Sequence, residues 1–424
     1  MSAPSVSAIE HPADVRIRLA SSRDAARISA LYAACYSSRD DRSPTDNYPF
    51  PQILLPEWVW AAIETKMVSW LVAESGGRTL GAAGLLRGLG SWPDGIAECF
   101  GLAVDPEVRL HGIGQGLLGA LAKLALGDAK IGIGQMRTVD PVVARVVQAS
   151  GFSAIGFEPF VHRMLGGAES MVTVAILSPE LLRERSRRGG TTEAVCRLAE
   201  PILEPLGALP LDVVVSQGGR ARPAVHEALR LKELDVEIGA NLMRRLLGSD
   251  PNACGFVDLR RMDELGREHA RRKQRYFAGL VGDEVVGCIH TAHNRHDSHF
   301  RIESFAWDSE PVQEPMLREL VELVRRESDG HPSVIVAELT ATNAPQQRAL
   351  EAVGFTPTAY YPALVVDRGR RLDVVQYTRL LGRAISDGIG FLDLFPWPEA
   401  ARVVRIIAAA LLADDRGGAG AVTP

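Results

Sequence analysis

The sequence predicts an α/β protein that contains two successive copies of one fold, each a central mixed, mostly antiparallel sheet flanked by helices. Three observations lead to this fold class. Strand-like and helix-like segments alternate over residues 14–178, a glycine-rich turn joins a strand to a helix near residue 112, and the second half of the chain repeats the first at a constant spacing.

Hydrophobic periodicity defines the elements of the first half. Alternating polar and apolar residues predict strands, and apolar residues three and four apart predict helices. Turn residues at Asp105-Pro106 end one strand, and Pro56 begins one helix. The predicted strands are residues 15–20, 69–74, 79–86, 98–104, 130–139, 157–165 and 171–177, and the predicted helices are residues 25–36, 56–67, 112–126 and 141–150.

The second half of the chain repeats the first at an offset of 203 residues. Identical residues recur at this offset in the pairs Gly151 and Gly354, Phe152 and Phe355, Pro159 and Pro362, and Gly166 and Gly369. An offset that holds without a gap over several elements indicates a duplication.

The repeat sets the predicted domain boundaries. Residues 1–13 form a flexible leader, residues 14–178 the first copy and residues 179–210 a charged helical linker. Residues 211–383 form the second copy, whose first strand is predicted at residues 211–215. Residues 384–424 are predicted to be an appended extension, with an amphipathic helix over residues 399–412 and a disordered Gly/Ala tail.

Composition excludes several classes of protein. The 424 residues are 46% hydrophobic and 23% charged, which is typical of a globular protein, and the net charge of -5 argues against nucleic-acid binding. No apolar run approaches the roughly 18 residues of a membrane span. Five scattered cysteines without a C-x-x-C pair indicate neither disulfides nor a cysteine zinc site. We therefore expect a cytoplasmic protein, and the excess of Arg over Lys indicates a GC-rich, bacterial genome.

The segment over residues 97–118 could bind a phosphate. An apolar strand ends at Asp105-Pro106, and the turn from Arg109 to Gly116 opens a helix rich in Leu and Ala. The first N–H groups of a helix lack intrahelical partners, and the helix dipole adds positive charge there, so such a turn can hold a pyrophosphate. Neither G-x-G-x-x-G nor G-x-x-x-x-G-K-[ST] is present. The pattern is R-x-x-G-x-G.

An R-x-x-G-x-G turn after a strand resembles the coenzyme A loop of the GNAT superfamily of N-acyltransferases, and the element order of residues 14–178 is also that of this family. The resemblance implies that acetyl-CoA, or another acyl-CoA, is the co-substrate. The strand edge would pair with the pantetheine amides and the loop N–H groups would hold the pyrophosphate. The implied cofactor-binding residues are Leu102, Ala103, Val104, Arg109, Leu110, His111, Gly112, Ile113, Gly114, Gln115 and Asp140.

The same resemblance implies a catalytic pair. Alignment with histone-acetylating members puts Glu98 at the position of their glutamate base, which an amine acceptor needs because it is protonated at neutral pH. A solvated polar residue on an edge strand is the alternative for Glu98. A backbone N–H near Gly101 or Leu102 would stabilise the oxyanion, and Phe100-Gly101 within a strand favours the local distortion that frees such a group.

The family's usual general acid is missing. Many relatives carry N-x-x-A-x-x-x-Y-x-x-x-G-F, but here the asparagine position is Asp140 and the tyrosine position is Val147. Either the thiolate leaves without an acid, or His111 or His162 substitutes.

The second copy has lost the features that the cofactor needs. At the constant offset, Glu98 becomes Arg301, Gly112 becomes Pro315 and Gly114 becomes Leu317. Proline has no N–H to donate, and leucine blocks close approach. Asn343 survives, but the tyrosine position is Leu350. We therefore predict a degenerate, non-catalytic second domain.

The acceptor site is expected beside the loop over residues 35–55 and the hairpin that follows residue 157, as in relatives. Its candidate residues are Arg39, Arg42, Tyr48 and Glu158. Four histidines at steps of three, His290, His293, His296 and His299, do not converge on a strand, so no metal is predicted.

Together these features favour an acetyl-CoA-dependent N-acetyltransferase that acts on a primary amine of a small molecule. Two alternatives remain open: transfer of another acyl group from CoA or a carrier protein, and a non-catalytic acyl-CoA sensor or scaffold. Neither nucleic acid nor membrane is an expected partner, and the chain is expected to be a monomer, as a pseudo-dimer of two folds, or a homodimer.

Overall fold

The computed structural model describes residues 15–36, 51–89, 94–109, 111–138, 141–164, 167–214, 229–248, 273–294, 299–308, 312–328, 333–382, 389, 392 and 395–418. Among these residues, no helix is long and apolar enough to cross a membrane. The predicted leader and the end of the predicted tail lie outside the described residues.

In the part of the chain that the structure describes, fourteen strands form one continuous sheet. The first half contributes β1 (Arg16–Leu19), β2 (Val68–Ser75), β3 (Arg78–Leu89), β4 (Ile96–Val104), β5 (Ile131–Arg137), β6 (Ser153–Met164) and β7 (Gly167–Leu177). A separate small sheet pairs β8 (Gly190–Thr191) with β9 (Val213–Val214). The second half contributes β10 (Leu229–Leu234), β11 (Lys273–Val281), β12 (Glu284–Asn294), β13 (His299–Trp307), β14 (Ser333–Thr340), β15 (Thr356–Asp367) and β16 (Arg370–Leu381).

Helices pack on both faces of this sheet. They are α1 (Ala25–Tyr36), α2 (Pro56–Glu64), α3 (Ile113–Asp128), α4 (Pro141–Ala149), α5 (Pro179–Glu184), α6 (Glu193–Leu203), α7 (Val236–Leu247), α8 (Gln313–Glu327), α9 (Ala344–Ala352) and α10 (Pro398–Gly418). Helix α1 packs against α2, and α3 packs against α4. Buried side chains from the sheet and from both helical layers form one apolar core that runs through both halves.

The two halves share one strand order. Neighbouring strands follow the order β1-β2-β3-β4-β5-β7-β6 in the first half and β10-β11-β12-β13-β14-β16-β15 in the second. In each half one pair is parallel, β4 with β5 and β13 with β14, and the other pairs are antiparallel. The predicted fold class, a mixed and mostly antiparallel sheet flanked by helices, is confirmed.

One predicted element of the second half is wrong. The apolar run over residues 211–215 does not supply the first strand of that half, because Val213–Val214 pairs with Gly190–Thr191 outside the main sheet. The first strand is instead Leu229–Leu234, which pairs with β11 from Leu229 opposite Val281 to Leu234 opposite Tyr276.

Among the described residues, one backbone pair joins the sheets of the two halves, Gly156 on β6 opposite Ala359 on β15. These two positions are equivalent at the offset of the repeat, so an approximate two-fold axis passes between them. The approach is close: a Cβ atom on Gly156 would lie 2.3 Å from the Ala359 Cβ. Glycine is therefore required where the two sheets join. The equivalent residues Phe160 and Ala363 also share a left-handed backbone, with φ of 56° and 52°.

The helix that follows each half packs on the other half. Helix α6 packs against β15, and α10 packs against β6 and against α6. Arg402 of α10 donates to Glu204, just beyond the end of α6, at 2.7 Å. The helix of the C-terminal segment thus covers β6, the strand of the first half that adjoins the second half.

The linker is anchored in the second half by a buried ion pair. The Arg185 guanidinium donates to both carboxylate oxygens of Asp373 at 2.5 to 2.8 Å and to the Tyr360 hydroxyl at 3.1 Å. Asp373 also accepts the backbone N–H of Ala363 at 2.8 Å. At the equivalent place in the first half, Ser170 accepts the N–H of Phe160 at 3.1 Å. The equivalent backbone N–H groups therefore donate to a neutral hydroxyl in the first half and to the carboxylate of a buried ion pair in the second.

Gly156→Ala tests the joint between the two sheets. The added methyl group collides with backbone as well as side-chain atoms of β15, so we expect unfolding free energy to fall by about 1–3 kcal/mol. The measurement is urea unfolding followed by circular dichroism. Gly119→Ala in α3 is the matched control, because its Cβ would meet nothing within 4 Å. Equal stabilities for the two variants would contradict the close approach.

Candidate active site

Strands β4 and β5 separate halfway along their length. Three backbone pairs join them, Ile96 with Ile131, Ala97 with Gly132 and Glu98 with Ile133. Within the described residues, no pair between these strands follows Glu98, although β4 continues to Val104. The backbone edge of β4 from Cys99 onward therefore faces an opening, and Glu98 stands at its vertex.

A bulge bends β4 at this point. Ala103 pairs with Ala82 and Phe100 with Gly84, so Gly101 and Leu102 together lie opposite one residue of β3. Gly101 has a φ of 64°, a conformation that residues with a side chain rarely adopt. The buried Tyr32 hydroxyl donates a hydrogen bond to the Gly101 carbonyl oxygen. The bulge predicted at Phe100-Gly101 is present, and α1 fixes its geometry.

The opening forms a cleft that is partly open to solvent. Its walls are the separated strands and the helices on one side of the sheet. The lining residues are Cys99, Phe100, Gly101, Leu102, Leu118, Leu121, Gly134, Gln135, Val147, Phe152 and Val174. Most are apolar, as is usual for small-molecule sites, and the tyrosine position, Val147, is among them.

Glycines on β5 keep the base of the cleft narrow. A Cβ atom on Gly134 would lie 2.9 Å from the Cys99 carbonyl oxygen. One on Gly132 would lie 3.0 Å from the Ala125 Cβ of α3 and 3.2 Å from the Cys99 Sγ. Side chains at these positions would therefore push β5 away from β4 and α3.

The N-terminus of α3 stands beside the far end of the cleft. Gly112 precedes the helix with a φ of 76° and provides no side-chain cap. The first N–H groups of α3, from Ile113 to Gln115, are thus left for another acceptor. A Cβ on Gly114 would make only ordinary contacts, 3.5 Å to Val104 and 4.0 Å to Leu102. The fold itself therefore does not require glycine there, whereas a ligand at the helix N-terminus would.

Polar contacts within the turn, and one from α1, hold the turn between β4 and α3. Arg109 Nε donates to the Val104 carbonyl at 3.3 Å, and the Cys35 thiol reaches the same oxygen at 3.4 Å. The exposed His111 ring contacts the Val108 carbonyl at 3.2 Å. Several candidate residues, namely Leu110, Asp140, Arg39, Arg42 and Tyr48, lie outside the described residues.

Glu98 is buried, with 6% of its surface exposed, and lies on the face of the sheet that carries α2. Phe100, two residues along the strand and so on the same face, makes an edge-to-face contact with Trp70 at 5.8 Å, and Trp70 makes another with Trp58 of α2 at 5.9 Å. The neighbouring Cys99 points to the opposite, α3 face. Burial raises the pKa of the Cys99 thiol well above its usual range.

A polar group that the sequence did not single out completes the cleft. Ile133 is the last residue of β5 that pairs with β4, and it lies opposite Glu98. Gln135 lies two residues further along β5, so its side chain is on the same face of the sheet as Glu98. Its Oε1 is 3.3 Å from Nε2 of the buried His162. Glu158, on the same hairpin as His162, accepts from the Thr173 hydroxyl at 2.5 Å. The alternation of side chains along β5 could have indicated which face of the sheet Gln135 occupies. It could not have indicated that Gln135 borders a cleft, because that depends on the point at which β4 separates from β5.

Residues 27–140 match the sequence profile of the Acetyltransferase (GNAT) family. Over these residues the chain is similar to a GNAT acetyltransferase domain. The match ends shortly after β5, so it covers both strands of the cleft and the glycine turn. No curated protein sequence matches the chain.

Solved structures that align with part of this chain include acetyltransferases. One from Staphylococcus aureus Mu50 has 19% identity and a TM-score of 0.34, and covers 39% of this chain and 99% of its own. A ribosomal-protein-alanine N-acetyltransferase from Brucella melitensis has 19% identity, a TM-score of 0.33 and coverages of 38% and 99%. The yncA protein of Salmonella typhimurium, solved with acetyl-CoA, has 18% identity, a TM-score of 0.33 and coverages of 39% and 94%.

Residues 27–140 therefore match a family of acyltransferases that use acetyl-CoA. The open edge of β4 and the uncapped start of α3 fit this molecule, because one can pair with amide groups and the other with phosphates. Among the described residues, no group of three or more His, Cys, Asp or Glu side chains could hold a metal ion. His290 and His293 stack instead on Tyr276 and Phe300, with ring centres 4.2 and 3.8 Å apart.

The same position in the second half is closed. Arg301, the equivalent of Glu98, donates to Glu338, the equivalent of Gln135, at 2.5 Å, and both side chains are buried. This ion pair ties β13 to β14, which also form one more backbone pair, Ile302 with Ala337. Larger buried side chains stand at the equivalents of cleft residues, with Tyr377 for Val174 and Phe305 for Leu102.

The linker also covers the turn of the second half that corresponds to the candidate cofactor-binding residue Asp140. Gly190 forms a backbone bridge with Asn343, which is the equivalent of Asp140. A Cβ on the adjacent Gly189 would lie 2.5 Å from the Thr342 Cβ, so the linker lies directly on this turn.

Filling the cleft should remove acetyl-CoA binding. Val174→Phe places a larger apolar side chain where the second half has Tyr377, and we expect acetyl-CoA affinity to fall by at least about tenfold, or ~1.4 kcal/mol. Calorimetric titration measures this change, and circular dichroism checks folding. Tyr377→Phe is the matched control and should bind acetyl-CoA like the wild type. Wild-type affinity in a folded Val174→Phe variant would show that the cleft is not the binding site.

Proposed function

We propose that the first half transfers an acetyl group from acetyl-CoA to a primary amine of a small molecule, such as an amino acid or a biosynthetic metabolite. The observation that carries this proposal is the opening between β4 and β5, which leads from Glu98 at its vertex towards the uncapped N-terminus of α3. The strand edge, the uncapped start of α3 and the Glu98 carboxylate together support the proposed donor site.

In this proposal the donor lies along β4. The pantetheine amides pair with the free edge at Leu102 and Val104, and the N–H groups from residue 110 to Gln115 hold the pyrophosphate. Arg109, held to the Val104 carbonyl, adds positive charge beside this turn. The thioester then lies near the bulge at Gly101, next to Glu98.

Glu98 is proposed to accept the proton of the attacking amine, directly or through a water molecule. Glu98 is buried at the last backbone pair between β4 and β5, where the opening begins. The backbone N–H of Leu102, in the bulge, is proposed to stabilise the oxygen of the thioester as negative charge develops on it.

Direct attack by the amine is favoured over an acyl-cysteine intermediate. Cys99 is the cysteine that lines the cleft, and burial raises the pKa of its thiol well above the usual value. The thiol therefore remains protonated, and a thiol is a poor nucleophile. We propose a ternary complex of enzyme, acetyl-CoA and amine.

No tyrosine acid is needed in this scheme. The position that holds it in many relatives is Val147, which is buried in the cleft wall. Coenzyme A can leave as a thiolate, because a thiol pKa of about 8.5 makes it a moderate leaving group near neutral pH. His111 is exposed on the turn, away from the vertex.

The second half is proposed to be a non-catalytic copy that arose by duplication and supports the first. The shared strand order, the joint at Gly156 and the exchanged helices support this division, with residues 14–178 as the catalytic domain and residues 211–383 as the supporting one. We propose a cytoplasmic location, since Cys35, Cys99, Cys196 and Cys288 are free thiols.

Thiol release from acyl-CoA across a panel of amines tests the proposed activity. Acetyl-CoA is compared with longer acyl-CoA donors and with free CoA, whose binding is followed by thermal shift. Turnover that is fastest with acetyl-CoA and a small amine supports the proposal. Preference for a longer acyl group would change the donor, and binding without turnover would favour an acyl-CoA sensor.

Glu98→Gln tests the proposed base. The amide cannot accept the proton, so we expect kcat to fall by about 10²- to 10⁴-fold while the acetyl-CoA dissociation constant stays the same. Stopped assays of thiol release and calorimetry measure the two quantities. Glu107→Gln, at an exposed glutamate just beyond β4, is the matched control. An unchanged kcat for Glu98→Gln would assign proton transfer to another group.

A further inference from the structure

The Gln135 side chain has an unusual hydrogen-bonding state. Its amide oxygen faces His162, at 3.3 Å from the ring Nε2. Its amide nitrogen is buried, and among the described residues no acceptor lies within hydrogen-bond distance of it. The same residue lines the cleft between β4 and β5. A residue with a buried donor that has no partner among the described residues therefore borders the space that the proposed function assigns to acetyl-CoA.

Buried polar groups in folded proteins almost always have a partner, because an unpaired donor loses its hydration without compensation. His162 is itself buried, and the tautomer that carries its proton on Nε2 would donate to the Gln135 oxygen and so fix the amide orientation. The amide NH2 is then directed away from His162. A ligand in the cleft is the partner that this geometry leaves room for.

The register identifies which part of the ligand Gln135 faces. Because Glu98 lies opposite Ile133, the position opposite Gln135 is that of Phe100, immediately before the bulge at Gly101 and Leu102. The phosphates belong at the α3 N-terminus and the pantetheine amides along β4. The atom left for the vertex of the cleft is the thioester oxygen.

We propose that Gln135 donates a hydrogen bond to the thioester oxygen of bound acetyl-CoA, opposite the backbone donor of the β4 bulge, and that His162 is its positioning residue. This inference rests on the proposed function. It adds a side-chain donor from β5 to the backbone donor from β4.

The chemistry balances without a proton from Gln135. The amine nitrogen bonds to the carbonyl carbon, its proton passes to Glu98, and the electron pair of the C=O bond moves to oxygen between the two donors. The C–S bond then breaks, the C=O bond forms again, and sulfur leaves as the thiolate. Gln135 stabilises the charge on oxygen and keeps its own hydrogens.

The second half lacks both members of this pair. Glu338 replaces Gln135 and is bound to Arg301, and Val365 replaces His162. A carboxylate cannot donate, and valine cannot orient an amide. The donor pair is therefore confined to the half that has the cleft.

Infrared spectroscopy of bound acetyl-CoA with a ¹³C-labelled carbonyl tests the contact without turnover. We expect the carbonyl band to lie at lower wavenumber in the wild-type complex than in solution, and the shift to shrink in Gln135→Met, which keeps the shape but has no donor. Gln148→Met, at an exposed glutamine of α4, is the control and should keep the full shift. A wild-type carbonyl band at its solution position would overturn the inference even if Gln135→Met fails to fold.

Kinetics separate this donor from a structural role. Gln135→Met should lower kcat by about 10²-fold, as loss of one oxyanion donor does, and change KM for acetyl-CoA by less than about threefold. His162→Phe alone should lower kcat, whereas the same substitution added to Gln135→Met should lower kcat no further. His162→Gln should have a kcat between those of His162→Phe and the wild type. Normal kcat in Gln135→Met, with an active wild type, would overturn the inference and leave the proposed function intact. A wild type that binds no acyl-CoA would overturn both.

Discussion

The site depends on one constraint, the end of the backbone ladder between β4 and β5 at Glu98. Left-handed Gly101 bends β4, the Tyr32 hydroxyl holds the freed carbonyl, and Gly132 and Gly134 keep β5 close at the base. If the ladder continued, its hydrogen bonds would occupy the edge that the proposed donor site needs. Glu98 and the edge of β4 would then lie in a closed sheet, with no opening between them and the N-terminus of α3.

The two halves show one topology with and without this opening. In the second half a buried arginine–glutamate pair and a fourth backbone pair hold β13 to β14, and the linker covers the turn at Asn343. Removing either partner of a buried ion pair leaves an uncompensated charge and lowers the stability of the folded protein. Neither Arg301 nor Glu338 can therefore be replaced alone without a loss of stability. The second half instead supplies a sheet edge for β6 and, through α10, a cover for it.

Local signals were enough to predict the sheet of the first half, the glycine turn and the bulge at Gly101, because periodicity, proline and left-handed glycine act over a few residues. Long-range pairing was not visible. An apolar run at residues 211–215 looked like a sheet strand but pairs with the linker, and the amphipathic pattern of α10 showed a buried face without showing that β6 receives it. Gln135 was missed because its proposed role depends on two long-range features, the point at which β4 separates from β5 and the contact with His162. His162 is 27 residues away in sequence, so neither feature is visible from the local pattern.

The most direct test of this account is the number and place of acetyl-CoA sites in the full chain. Calorimetry gives the stoichiometry, and hydrogen–deuterium exchange gives the location. The account predicts one site per chain, with slower exchange at residues 99–104 and at the start of α3 and no change at residues 302–307 or at the start of α8. Two sites per chain, or protection confined to the second half, would contradict it.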